Sequence, residues 1–219
     1  MKILKLVVLL FTMVSTQTWA QQKPYWTEIQ EFKKQDSIQF PPQKAILFVG
    51  SSSFRMWNSV QQDFPGYTII NRGFGGSTLS DVMLYANDII IAYKPKQVVI
   101  YCGENDLASA GEVTAEIVTE RFIDLFTAIR DKMKKVNIVF VSIKPSPSRS
   151  QLMPAMALAN KQIEAFLKIQ KRTAFVNVYD RMLTAEGHPR TELFIDDMLH
   201  MNAEGYAIWR EAILPYLKK

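Results

Sequence analysis

The stretch Ala45-Ile-Leu-Phe-Val-Gly-Ser-Ser-Ser53 decides how this sequence is read. Residues 45–49 form a short, wholly apolar run, the pattern of a strand buried on both faces. The run stops at Gly50, and three hydroxyls and Phe54-Arg-Met-Trp57 follow. A buried strand that runs into glycine and serine places a hydroxyl at the carboxyl edge of a sheet, where open α/β sheets carry their ligand sites. A serine there becomes a nucleophile when a base and oxyanion donors are brought to it. Taken alone, the same serines also read as helix N-caps, because Ser accepts well from free backbone N–H groups.

Working outward, apolar runs and helical periodicities alternate. Residues 27–37 predict a short N-terminal helix with Ile29 and Phe32 inward, broken by Pro41-Pro42. Asp63-Phe-Pro-Gly66 signals a turn, and 67–70 a second strand. The glycine-rich loop Asn71-Arg-Gly-Phe-Gly-Gly-Ser-Thr78 follows. Helical spacing then predicts one helix over 79–93, ended by Pro95, and a third buried strand over 97–102, capped by Gly103-Glu-Asn-Asp106. Further elements are a long amphipathic helix over 113–134, a strand over 136–143, a loop at 145–148, a helix over 153–170, a strand over 174–178 and a last helix over 204–217. About five strand–helix alternations call for an α/β fold, a parallel sheet with helices on both faces. The polar, glycine-containing segments fall after the strands, so they converge at one sheet edge.

The chain has 219 residues, 48% hydrophobic and 21% charged, which suits one globular domain. The net charge of +5 is mild, and clusters such as Lys132/Lys134/Lys135 and Lys171/Arg172 read as solvated faces, so no nucleic-acid partner is expected. Lys2 and Lys5 precede the apolar run 6–13, and Thr18-Trp-Ala20 ends a segment with the make-up of a secretory signal. Cleavage is expected after Ala20, leaving residues 21–219 as the mature domain, exported to the periplasm or the medium, without a membrane span. Cys102 is the only cysteine, which excludes an intramolecular disulfide and a zinc site built on cysteines. No metal or other cofactor is expected.

Four clusters meet at the predicted edge: Ser51–Ser53, the loop 73–78, the segment 103–106, and Asp196-Asp-Met-Leu-His200. Acyl transfer needs a nucleophile, a base, a group that orients the base, and donors for the oxyanion. His200 is the natural base, because imidazole titrates near working pH. Asp197, three residues earlier, can reach the ring across a tight turn, and Asp196 is its rival. Glycine N–H groups of the second cluster and the Asn105 amide can donate to an oxyanion. His188, beside Pro189, reads as a surface-loop residue.

The chain resembles the SGNH hydrolases, the GDSL esterase/lipase family, over nearly the whole mature sequence. The family's Gly-Asp-Ser-Leu block stands here as Gly50-Ser51-Ser52-Ser53. The resemblance makes Ser52 the nucleophile, with Ser51 and Ser53 in place of the usual Asp and Leu. It sets the oxyanion glycine on Gly76, the oxyanion amide on Asn105, and the Asp-x-x-His pair on Asp197 and His200, and it makes the Ser52 N–H the third oxyanion donor. It implies a single-domain, three-layer α/β/α sandwich with a five-stranded parallel sheet, flavodoxin-like in build. It also implies a serine esterase working through an acyl-enzyme.

Short loops around the site, with little inserted apolar surface, suggest a shallow site for small acyl groups. Exported members of this size resemble carbohydrate deacetylases, so an acetylated sugar or glycan is the expected substrate. Arg55, Arg72 and Phe74, with Trp57, flank the site blocks and are candidates for its walls. A lysophospholipase or thioesterase is the alternative within enzymes, and an idle glycan-binding module on the same fold is the alternative outside them. The oligomeric state is left open.

Overall fold

Five parallel strands, β1 (Ile46–Gly50), β2 (Ile69–Gly73), β3 (Gln97–Tyr101), β4 (Asn137–Val141) and β5 (Thr173–Val176), form one sheet in the order β2-β1-β3-β4-β5. The structure, a computed structural model, describes residues 23–109 and 111–219, so the expected signal at 1–20 lies outside the described residues. In chain order the helices are α1 (Trp26–Ile38), α2 (Ser52–Arg55), α3 (Val60–Asp63), α4 (Leu79–Leu84), α5 (Ala86–Ile89), α6 (Glu104–Ala108), α7 (Ala115–Lys132), α8 (Met153–Lys168) and α9 (Ala203–Ile213).

The apolar runs of β1, β3 and β4 are continuous because both faces of the sheet are covered. Side chains alternate between the faces. Leu47, Val49, Val98, Ile100 and Phe140 pack with α1, α4, α5, α7 and α8. Ile46, Phe48, Val99, Tyr101 and Val139 pack with α2, α3 and α9, where Phe54, Trp57, Phe64 and Trp209 make an aromatic cluster. The result is the three-layer α/β/α sandwich, one domain with a five-stranded parallel sheet.

Two elements differ from their sequence reading. β2 runs on through Asn71, Arg72 and Gly73, which the pattern assigns to a loop. Their polar groups find partners in place: the Asn71 amide donates to the Phe54 carbonyl at 2.6 Å and accepts from Gly73 N–H at 2.9 Å, and Arg72 pairs with Asp36. The single helix expected over 79–93 is broken into α4, α5 and a 3-10 turn, Ile91–Tyr93. Tyr85 leaves the helical region at φ −107°, ψ 7°, and Ile90 at φ −126°, ψ −61°. The second break falls in the run Ile89-Ile90-Ile91, β-branched at three successive positions, which a helix disfavours.

Register sets up the site. Gly50 lies level with Gly73 on one side and with Tyr101 on the other. The segments that leave β1, β2 and β3 therefore start from one line. The strand order reverses direction at β1 and β3, which is the switch point where sheets of this kind bind ligands.

Candidate active site

Ser52 sits on a turn that only glycine permits. Gly50 has φ +139°, and a Cβ there would lie 1.9 Å from the Tyr101 carbonyl oxygen. That close approach lets Ser51 N–H donate to the same carbonyl at 3.0 Å, and the chain turns at once into α2. Ser52 is the first residue of α2 and keeps 9% of its surface exposed. Ser51 and Ser53 are more deeply buried.

His200 comes from the far end of the chain. The segment Ile195–His200 is a tight turn, with Ile195 N–H donating to the His200 carbonyl at 2.9 Å. Asp197 lies inside it. One carboxylate oxygen accepts the N–H groups of Leu199 and His200, each at 2.9 Å, and the other stands 2.6 Å from His200 Nδ1. The opposite ring nitrogen, Nε2, is 2.8 Å from Ser52 Oγ. Burial pushes the Asp197 carboxyl up, but the ring and the two backbone donors outweigh burial and hold it below the usual carboxylate range. An ionised Asp197 accepts from Nδ1–H, which leaves Nε2 as the acceptor for the Ser52 hydroxyl. Asp196 is exposed and takes none of these bonds.

The helix that follows fixes the distance. Asn202 caps α9 by accepting from Glu204 N–H and Gly205 N–H, at 3.0 and 3.1 Å. From α9, the Tyr206 hydroxyl donates to the Ser53 carbonyl at 2.8 Å, and its ring stacks on Trp57. The imidazole and the hydroxyl are thereby tied to each other beyond their own contact.

Gly76 and Asn105, on the segments that follow β2 and β3, are neighbours: a Cβ on Gly76 would meet Asn105 Nδ2 at 3.7 Å. The N–H groups of Ser52 and Gly76 have no acceptor among the described residues. Asn105 Nδ2 donates to the Ser77 carbonyl at 3.2 Å, and one amide hydrogen is left over. Gly75 N–H, by contrast, is taken by Glu28 at 2.9 Å. The loop itself is pinned from below. Ser77 Oγ donates to the Gly50 carbonyl, and Leu79 N–H donates to the buried Asp106.

A buried polar cluster beneath Asn105 was not singled out in the sequence. Glu104 accepts from the Tyr101 hydroxyl and from Lys144 Nζ, both at 2.7 Å, and from the Ser146 hydroxyl. Lys144 is fully buried. Burial pushes Glu104 toward protonation, but Lys144, Ser146 and Arg149 outweigh it and hold the carboxyl below its usual range. The loop after β4 also reaches the imidazole turn, since Ser148 donates to the Met198 carbonyl through its N–H at 3.0 Å and its hydroxyl at 2.9 Å. The available signal was a lysine directly after the apolar run 136–143, at the same edge as the four clusters.

The expected walls of the site need correction. The Arg72 guanidinium is 2.5 Å from Asp36, bonds the Tyr93 hydroxyl at 2.7 Å and lies over the Phe32 and Tyr93 rings. It is spent within the fold and is no candidate for a substrate. Phe74 is fully buried between Tyr25 and Tyr85. Trp57 is buried too, with its indole N–H on Asp63. Arg72 and Phe74 were drawn inward by partners from other segments, Asp36, Tyr25 and Tyr85. Arg55 is exposed, and His188 sits on an exposed turn closed by Thr184.

The family model for GDSL-like Lipase/Acylhydrolase proteins matches residues 40–208, and the chain belongs to that family. With the family comes the class, a hydrolase of ester bonds. No curated protein sequence matches the chain. Among solved structures, one similar chain is a Streptococcus pneumonia protein named for platelet activating factor, at TM-score 0.76 and 19% identity, covering 89% of this chain and 92% of that one. A GDSL-like lipase from Bacteroides thetaiotaomicron aligns at TM-score 0.70 and 22% identity, over 84% and 94% of the two chains. A variant of an acetyl-xylooligosaccharide esterase from Geobacillus aligns at 0.61 and 17%, over 79% and 93%. At these identities the likeness is one of fold.

Proposed function

We propose that the protein is an exported serine esterase that removes small acyl groups, acetyl above all, from carbohydrates. The observation that carries the reading is the unbroken chain from Ser52 Oγ to His200 Nε2 and from Nδ1 to Asp197, at 2.8 and 2.6 Å. Ser52 Oγ attacks the ester carbonyl carbon while Nε2 takes its proton. Asp197 holds the ring in that tautomer and stabilises the imidazolium. The tetrahedral oxyanion is received by Ser52 N–H, Gly76 N–H and the free Asn105 amide hydrogen. His200 then gives the proton to the leaving alcohol, and water repeats the sequence on the acyl-enzyme.

Support for a small acyl group is the shape of the rim. The segment leaving β1 turns directly into α2, the one leaving β2 reaches α4 through the short loop 74–78, and neither adds a long apolar wall. Ile195 and Met198 stand partly exposed beside His200 and leave the approach open. The carbohydrate preference leans on shared fold with the Geobacillus esterase. Export leans on the N-terminal segment.

Purified mature protein, wild type beside Ser52→Ala, should be assayed on acetylated xylo-oligosaccharides, lysophospholipid, acyl-thioesters and nitrophenyl esters of rising chain length. The expected result is activity confined to wild type and falling with chain length. A preference for long chains would move the assignment to a lysophospholipase or thioesterase. Glycan binding without turnover would leave only a binding module.

A further inference from the structure

Arg149 stands beside the oxyanion amide and has no part in the proton relay. It lies in the 3-10 turn Pro147–Leu152 that follows β4, and it interrupts that turn with φ −127°, ψ 27°. Its side chain is one-fifth exposed. Arg149 Nη1 donates to Asn105 Oδ1 at 3.0 Å. The same nitrogen is 3.6 Å from Glu104, beyond hydrogen-bond distance.

We propose that Arg149 is a positioning residue for the oxyanion hole: it locks the orientation of the Asn105 amide and strengthens it as a donor. The proposal rests on the reading of Asn105 as an oxyanion donor.

A carboxamide has two orientations, and only one aims Nδ2 at the oxyanion. The Ser77 carbonyl favours the required one by accepting from Nδ2, and Arg149 favours it from the other end by donating to Oδ1. In the flipped orientation the guanidinium would face an NH2 group, donor against donor, and the Ser77 carbonyl would face a carbonyl. A charged donor on Oδ1 draws density toward that oxygen, and chained hydrogen bonds polarise one another, so the remaining N–H becomes more acidic. Lys144 and Arg149 face one carboxylate, Glu104, at 2.7 and 3.6 Å. Glu104 is paired first with Lys144, so Arg149 keeps positive charge beside the Asn105 amide. If Arg149 served only to neutralise Glu104, its short bond would run to that carboxylate, which Lys144, Tyr101 and Ser146 already satisfy.

The test is a cycle of Asn105→Ala and Arg149→Met on nitrophenyl acetate, with Arg149→Lys as a variant that keeps charge and donor. Arg149→Met should lower kcat about tenfold with KM held within about twofold, as expected for a contact felt mainly in the transition state. In the Asn105→Ala background the same change should cost less than about twofold, because its route of action is gone. Arg149→Lys should recover part of the rate. In NMR spectra, the Asn105 side-chain amide protons, assigned by their loss in Asn105→Ala, should shift in Arg149→Met. An equal cost in both backgrounds, or a rise in KM alone, would mean direct contact with substrate and would overturn the proposal. Unchanged kcat and an unchanged amide would overturn it as well. A wild type that is inactive, or that stays active as Ser52→Ala, would sink the esterase reading instead. The amide resonances would still report whether Arg149 holds Asn105.

Discussion

Replacing Asp197 with Asn changes one atom and should reverse the proton relay. In the wild type, one Asp197 oxygen receives two backbone N–H groups, from Leu199 and His200, and the other faces His200 Nδ1. An asparagine has one oxygen and one NH2 to distribute between these places. Two donors already point at the first, so the oxygen belongs there and the NH2 is driven against Nδ1. Nδ1 must then accept, the ring proton moves to Nε2, and Nε2–H points at Ser52 Oγ. The base has become a donor. The loss should be about ten-thousandfold in kcat, as a reversed tautomer costs elsewhere, which is ~5 kcal/mol of barrier. KM should hold, since the side chain does not face substrate. Initial rates on nitrophenyl acetate measure the loss, and ring-nitrogen NMR shifts of His200 report which nitrogen carries the proton. Retention of more than about a tenth of the wild-type kcat, against the expected loss, would mean that Asp197 does not set the tautomer of His200. Asp196 would then be the group to examine.

Other outcomes follow from the same geometry. Asn105→Ala should cost about a hundredfold in kcat or more, read on the same ester, because one oxyanion donor is gone. Arg72→Met should leave kcat and KM near wild type but destabilise the protein by about 2 kcal/mol, since the partly buried Asp36 carboxylate loses its cation and keeps only the Tyr93 hydroxyl. Calorimetry would show this as a fall in Tm on the order of 10 °C. Glu104 titrates below its usual range in the fold, so its stabilising effect is present above about pH 4.3 and is lost as pH falls through the depressed value. Urea midpoints between about pH 3 and 6 should therefore drop steeply at the acid end, and Glu104→Gln/Lys144→Met should flatten that limb. Gly50→Ala should cost about 3 kcal/mol or more, because its Cβ would overlap the Tyr101 carbonyl at an unfavourable φ; the chemical-denaturation midpoint measures it.

The apolar runs at 45–49, 97–102 and 136–143 were enough to read a parallel sheet, because strands covered on both faces need no alternation. The four polar clusters were legible as a site for the related reason that segments after parallel strands share an edge. The Asp197–His200 pairing could be read because both partners lie within one turn. Arg72 and Phe74 were misplaced because what claims them, Asp36, Tyr25 and Tyr85, comes from segments whose packing no local pattern encodes. The cluster of Glu104, Lys144, Ser146 and Arg149 was invisible for a like reason. A lysine after a strand reads as solvated until its carboxylate, 40 residues earlier, is seen beneath it. The second break in the helix expected over 79–93 falls where three successive isoleucines outweigh the apolar spacing that predicted it.

The hydrogen bond from Tyr206 to the Ser53 carbonyl ties the working distance to the last helix of the chain. That helix is no fraying end, because its Trp209 and Ile213 are fully buried in the same cluster as Phe48, Val99 and Tyr101 of the sheet. Local opening belongs to segments with few buried contacts, so on heating the imidazole should lose its anchor only when the sheet does. Turnover should then fall together with the far-ultraviolet signal rather than ahead of it.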